Sequence, residues 1–263
     1  MTDRVIWKIT GKDRFTFLQG LVSNDLLRLE KAALGQWHAV WAALLTPQGK
    51  YLADFLILRP AEGEHLLIDI AAPVAAATLR RLMMYRLRAD VQFAETDLGV
   101  ARGLGPCPPD AVADPRHPAL GWRRYAQIAM LSAPAEAVDW DEIRVTHGIP
   151  ETGIELQPDE TFILEAGFER LNGVDFRKGC YVGQEVTARM KHKTELRKGL
   201  VPVLLDHHPE PALPPGTPLL TAEGKEAGTL FTTHGLRGLA HIRFDRAGEV
   251  YALGQKIRTL PPF

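Results

Sequence analysis

Apolar residues recur along this chain with two different periods, and the changes of period mark out its elements. Val5, Trp7 and Ile9 alternate with polar neighbours, which predicts a strand over Arg4–Thr10 with one buried face. Residues 13 to 20 turn Phe17 and Leu18 inward as a short helix that stops at Gly20, and Ser23-Asn24-Asp25 supplies capping residues for a second helical turn. Two apolar runs, 37 to 45 and 51 to 59, flank Thr46-Pro47-Gln48-Gly49-Lys50 and predict a β-hairpin. A third strand is expected over 65 to 70. Residues 74 to 88 then have the period of an amphipathic helix, with Arg80, Arg81, Arg86 and Arg88 on a solvated face. Strands resume near Val91 and Val100, and residues 105 to 121, with five prolines, predict a loop. A strand over 122 to 131 and helices over 135 to 147 and 184 to 190 follow. From Gly199 the pattern changes to five short strand-like runs, GLVPVLL, AGTLFTT, LAHIRFD, EVYAL and KIRTL, with a proline-rich turn over 209 to 218, at the spacing of a small barrel. The order is that of an α+β protein rather than a βαβ repeat, with a boundary near residue 198.

Composition adds bounds. A chain of 263 residues with 46% hydrophobic residues fills one large core or two to three small ones. A net charge of −1 argues against a general nucleic-acid binder. Cys107 and Cys180 are too few for a disulfide framework and lack paired metal-ligand spacing, so the chain by itself cannot give a cluster four thiolates. MTDRVIWKIT has no apolar run fit for a signal peptide, and no segment reaches bilayer length, so the expected setting is a reducing cytosol without membrane attachment.

Candidate chemistry concentrates in Lys178-Gly179-Cys180-Tyr181-Val182-Gly183-Gln184-Glu185, which holds a cation, a thiol, two glycines, an amide and a carboxylate. Both glycines are expected at backbone angles that other residues resist. Cys180 then lies near a helix N-terminus, where the partial positive charge and Lys178 favour thiolate and make a reactive or metal-seeking sulfur. The plainer alternative is a small buried cysteine, with Glu185 and Arg189 paired along a helix surface. Residues 189 to 198 are dense in Lys and Arg, which suits a solvated linker or a rim for anions. Cys107, within the proline-rich loop, is taken as incidental, and His234 and His241 show no companions in sequence.

The octet resembles the hallmark of the YgfZ family, folate-binding proteins related to the glycine-cleavage T-protein (aminomethyltransferase) and implicated in iron–sulfur protein maturation. The resemblance covers nearly the whole chain. It includes Gly11-Lys12-Asp13-Arg14 with Phe17-Leu18-Gln19-Gly20 and Asn24-Asp25, Leu45-Thr46-Pro47-Gln48-Gly49-Lys50 with Asp54, and Asp114-Pro115-Arg116 with Leu120-Gly121-Trp122-Arg123. Leu164-Glu165-Ala166-Gly167 resembles the segment in which a glutamate reads the pterin of folate, although Gly167-Phe168 stands where many YgfZ-like chains have Asn-Leu.

The resemblance implies an aminomethyltransferase-like folate-binding fold with a central pocket over 1–198, divided into two α+β subdomains, and a C-terminal β-barrel over 199–263. It implies a factor that binds tetrahydrofolate or a one-carbon derivative and assists assembly or repair of iron–sulfur clusters, especially [4Fe–4S], in client enzymes. Cys180 and Lys178 are then the catalytic candidates, and Glu165, Tyr181, Gln184, Glu185 and Arg189 the folate-binding ones. Cys180 is the evident soft ligand, so a [2Fe–2S] cluster is expected only as one shared with a partner such as an A-type iron–sulfur carrier. Two rival readings are a folate-dependent aminomethyl transferase, with Asp25, Asp54 or Asp69 as its carboxylate, and a binding module associated with tRNA modification. Direct nucleic-acid binding is not expected.

Overall fold

A computed structural model describes residues 4–131, 137–193, 195–208, 210 and 212–263. They form two compact units, Met1–Val138 with Glu169–Val186, and Asp139–Phe168 with Thr187–Phe263.

The first unit is built on an antiparallel sheet of β1 (Arg4–Thr10), β2 (His38–Leu45), β3 (Tyr51–Arg59), β4 (Leu66–Ala71) and β5 (Gln92–Glu95), in the order β2-β3-β4-β1-β5. Helices α1 (Arg14–Gln19) and α2 (Leu27–Glu30) lie between β1 and β2 in the chain, and α3 (Ala72–Arg86) follows β4. The core gathers Ile9, Leu18, Val22, Leu44, Phe55, Ile57, Ile68 and Leu82, each removed from water. The hairpin forms as its turn residues demand: Thr46 N–H donates to Lys50 O at 2.8 Å, and Gly49 takes φ +75°. Helix α3 begins at Ala72, with Pro73 in its first turn, and ends at Arg86. Of the expected cap, Asp25 alone serves α2, its Oδ1 accepting from Leu27 N–H at 3.1 Å; Ser23 and Asn24 bind elsewhere.

A second sheet of the same unit, β6 (Leu98–Gly103), β7 (Val112–Ala113) and β8 (Trp122–Gln127), has the order β6-β8-β7. The expected strand over 122 to 131 thus stops at Gln127 and passes into a 3-10 turn. The proline-rich loop carries a short strand and the buried Asp114. Asp114 receives Arg123 Nε at 2.7 Å and Arg116 Nη2 at 2.8 Å, while Arg123 Nη1 reaches Asp69 Oδ2 on β4 at 3.0 Å. Tyr125 O–H donates to the same Asp69 oxygen at 2.7 Å, and Arg4 pairs with its other oxygen. The Arg guanidinia hold both carboxylates below the usual range against the effect of burial.

The second unit centres on a closed barrel of β9 (Lys198–Leu205), β10 (Thr217–Leu220), β11 (Glu226–His234), β12 (Arg237–Arg243), β13 (Glu249–Ala252) and β14 (Gln255–Thr259). Its core includes Val203, Leu219, Leu230, Ala240, Ile242 and Ile257. The barrel has six strands against the five expected, because Thr217–Leu220, which begins inside the segment read as a turn, pairs with β11 through Pro218↔Thr229. Pro209 and Pro211 of that turn lie outside the described residues. Helix α4 (Trp140–His147) packs on the barrel through Val145 against Leu200 and Leu239. It is capped by Asp139, whose Oδ1 accepts from Glu142 N–H at 3.0 Å, and it stops at Gly148 in a left-handed conformation. The start expected at Ala135 lies outside the described residues. Helix α5 (Gln184–His192) begins with the last two residues of the octet.

Candidate functional site

The first unit brings together three motifs that are far apart in sequence. Asn24 Nδ2 donates to Trp41 O at 2.8 Å and to Asn172 O at 2.6 Å, while Ser23 Oγ donates to Gly173 O at 2.6 Å and accepts from Ala43 N–H at 2.8 Å. The segment leading into the octet is thereby riveted to β2. Lys178, only 8% exposed, donates through Nζ to Gln19 O at 2.8 Å, Val22 O at 2.5 Å and Asn24 O at 2.9 Å. An ammonium group has three protons, and three carbonyls take them. Lys178 therefore acts as a clamp rather than as the cation expected to act on the thiol. Burial lowers its pKa to about 8, with the negative charges of Asp25 and Asp175 pulling the other way. Tyr181 is turned inward, its ring centroid 4.9 Å from Lys178 Nζ, so its observed role is packing and a cation–π contact rather than presentation to a ligand.

The other end of the octet interlocks with the hairpin turn. Gly183 has φ +83°, and a Cβ there would stand 2.6 Å from Thr46 O and 2.9 Å from Leu45 Cβ; a Cβ on Gly49 would stand 2.9 Å from that of Val186. Each glycine is required by the approach of the other's strand or turn. Gly179 differs from expectation: its φ is not in the left-handed region, and an added Cβ would meet nothing within 4 Å. Between clamp and interlock, Cys180 is exposed. The buried-cysteine alternative is thus set aside. Glu185 and Arg189 are exposed on α5, and no ion pair joins them among the described residues, so the surface pairing is absent too; Gln184 is half-buried at the helix start.

Glu165 belongs to the second unit. It is 8% exposed, and its Oε2 receives His241 Nε2 at 3.2 Å and lies 3.6 Å from Lys198 Nζ, whereas Oε1 has no hydrogen-bond partner among the described residues. Glu165 lines a cavity of about 250 Å³ with Met190, Glu195, Leu196, Arg197, Lys198 and Arg243. Lys198 ends the basic run read as a linker or a rim for anions, His241 looked unaccompanied, and Arg243 was not singled out from sequence. Its partner is supplied by the β12–β9 pairing, His241↔Leu200, together with the bond from Leu200 N–H to Glu165 O at 2.7 Å. His234 likewise gains a partner, Asp139 Oδ2, at 2.8 Å.

The carboxylates considered for transfer chemistry are engaged within the fold. Asp25 accepts from Gln19 Nε2 and Leu27 N–H, Asp54 from Trp41 Nε1 and Tyr51 O–H, and Asp69 from Arg4, the buried Arg123 and Tyr125 O–H. Among the described residues, no three His, Cys, Asp or Glu side chains are grouped to hold a metal ion, and no helix is long and apolar enough to cross a membrane.

The architecture is that of the aminomethyltransferases with a distinct C-terminal barrel. It superposes on the glycine cleavage system aminomethyltransferase T from Bartonella henselae with a TM-score of 0.73 over 98% of this chain and 83% of that one, at 15% identity. Residues 197–263 match the family described as CAF17, C-terminal beta-barrel domain. In sequence, the human iron-sulfur cluster assembly factor IBA57, mitochondrial, is 32% identical over 94% of this chain and 80% of its own length. The IBA57 homolog of Mycosarcoma maydis is 34% identical over 76% of this chain, which spans 55% of that relative. The chain belongs to the IBA57 family of iron–sulfur cluster assembly factors. The cytosolic setting expected from the N-terminal sequence is overturned, because these relatives are mitochondrial proteins and point to a mitochondrial setting.

Proposed function

We propose that this protein binds tetrahydrofolate or a one-carbon derivative and, like the assembly factors it resembles, assists the building or repair of iron–sulfur clusters, especially [4Fe–4S], in client proteins. The observation that carries the reading is the exposed Cys180 on a loop held from both sides, by the Lys178 clamp and by the Gly183–Gly49 interlock. A single presented thiol is suited to share a cluster, as cargo, with a carrier of the A-type that provides the remaining thiolates.

For folate, the donor set fits a pterin edge. Glu165 is nearly buried, so its carboxylate acts at low dielectric; Oε1 is open and Oε2 is oriented by His241 and Lys198, leaving acceptor capacity for adjacent N–H donors. When bound, tetrahydrofolate supplies a reduced pterin with nucleophilic ring nitrogens. Arg197, Lys198 and Arg243, with Arg189 on α5, provide positive charge for the carboxylates of the folate tail. In this reading the barrel over 199–263 shares the folate pocket with Glu165, Arg197 and Lys198 of the region 1–198.

The test is anaerobic calorimetry of tetrahydrofolate with the wild type, Glu165→Ala and Cys180→Ala, alongside reconstitution of a [4Fe–4S] client with an A-type carrier. Wild type and Cys180→Ala should bind folate alike, Glu165→Ala should bind at least about tenfold more weakly, and Cys180→Ala should fail to activate the client. Absence of folate binding by the wild type removes the pterin from the mechanism. Full client activation by Cys180→Ala removes the thiol.

A further inference from the structure

Helix α3 buries Ala75, Thr78 and Leu82 toward the sheet and turns an unusual face outward. Its C-terminal half exposes Met83, Met84 at 75%, Tyr85 and, just past the helix end, Leu87 at 89%. Interleaved with them are Arg80 and Arg88, both exposed, and the half-buried Arg81 and Arg86. None of these four arginines has an ion-pair partner among the described residues, whereas Arg4, Arg116, Arg123 and Arg144 are all paired. Leu87 has φ +41° and ψ −104°, a region that glycine occupies without cost and leucine does not. The fold thus carries a strained leucine in full contact with water, where glycine would relieve the backbone. Such strain without a folding benefit points to use at a contact.

We propose that the exposed C-terminal half of α3, with Leu87, is a docking surface for a partner protein that presents an apolar ridge bordered by carboxylates. Four unpaired guanidinia supply the charge complement, and Arg, Met and Tyr are residue types that interfaces favour. An anionic membrane is the poorer fit. A helix that lies in a bilayer interface separates its apolar and basic residues onto opposite faces, but here Arg80 lies one turn before the exposed Met84 on the same face of α3, so immersing Met84 would carry a guanidinium group with it.

The experiment is fluorescence anisotropy of the full chain with a labelled synthetic helix bearing a Leu/Phe ridge flanked by glutamates. A glutamine-for-glutamate version serves as control, and vesicles of phosphatidylcholine with phosphatidylserine are tested by co-sedimentation. The wild type should bind the glutamate peptide in preference to the control, more weakly as salt is raised. Met84→Ser and Arg88→Glu should each weaken binding by roughly tenfold at unchanged melting temperature. Leu87→Gly should melt at a higher temperature and also bind roughly tenfold more weakly. Failure to bind the glutamate peptide, or equal binding by these variants, overturns the proposal. Vesicle binding without peptide binding assigns the face to an anionic membrane instead.

Discussion

Gly183 and Lys178 show how little freedom the thiol loop has. A side chain at Gly183 meets Thr46 O at 2.6 Å with φ at +83°, so Gly183→Ala should lower the unfolding free energy by about 2–4 kcal/mol, measured by urea denaturation. Lys178→Met keeps the length of the side chain but leaves the carbonyls of Gln19, Val22 and Asn24 without their donor, at a cost of about 2–3 kcal/mol. The clamp also has a pH signature. The folded state releases the Lys178 proton near its lowered pKa of about 8, whereas the unfolded chain keeps it to lysine's ordinary value of about 10.4. Between those values the unfolded state binds more protons, so the stability contributed by this site rises with pH; below about 8 both states are protonated and the contribution is flat. The difference in stability between wild type and Lys178→Met should therefore widen from pH 8 to pH 10. A narrowing difference would mean that the three carbonyls outweigh burial and raise this pKa in the folded state. In sequence, Lys178 and the two glycines stood out for their chemical variety, but their division into clamp, interlock and open approach did not, because the partner carbonyls lie more than 150 residues away.

At the scale of elements, buried ion pairs join what hydrogen-bonded ladders leave separate. Asp69 on β4 and Asp114 beside β7 are bridged by Arg123 of β8, which ties the smaller sheet to the larger. Asp69→Asn leaves buried guanidinium charge less compensated and should cost about 3 kcal/mol or more, while Lys256→Ala, which breaks an exposed pair with Glu249, should leave stability nearly unchanged. Because both buried carboxylates have lowered folded pKa values, their contribution is fully present above the unfolded value of about 4 and is lost as pH falls below it. Chemical denaturation across that range should show Asp69→Asn losing less stability on acidification than the wild type. The β2–β3 hairpin was legible because Pro47 and Gly49 fix a turn through local backbone geometry. Strand β10 was not, since Pro218 reads as a turn until the pairing with β11 is known. Helix α4 shows the same division: its cap at Asp139 is local, but the bonds from Arg144 to Glu155 Oε2 at 3.1 Å and to Thr232 Oγ1 at 3.0 Å on β11 are not.

For the whole molecule, folate recognition and thiol chemistry are expected to be separable. Glu165→Gln, which keeps shape but removes the charge beside His241 and Lys198, should weaken tetrahydrofolate binding in calorimetry by about 1.5–3 kcal/mol, while Cys180→Ser should leave that affinity unchanged and lower cluster delivery to a client. Loss of both properties in either variant would contradict two independent roles. By itself the sequence determined the α+β character, the barrel, most element boundaries and the octet, because hydrophobic period, turn chemistry and an unusual run of reactive residue types are local properties. The tertiary structure alone decided that Asn24, Gly49 and Lys178 form one joint, that Asp114 and Arg123 are buried counter-charges, and that Glu165 meets His241 and Lys198. Each of those depends on which distant backbone comes within hydrogen-bonding reach, and strand register and sheet packing set that distance.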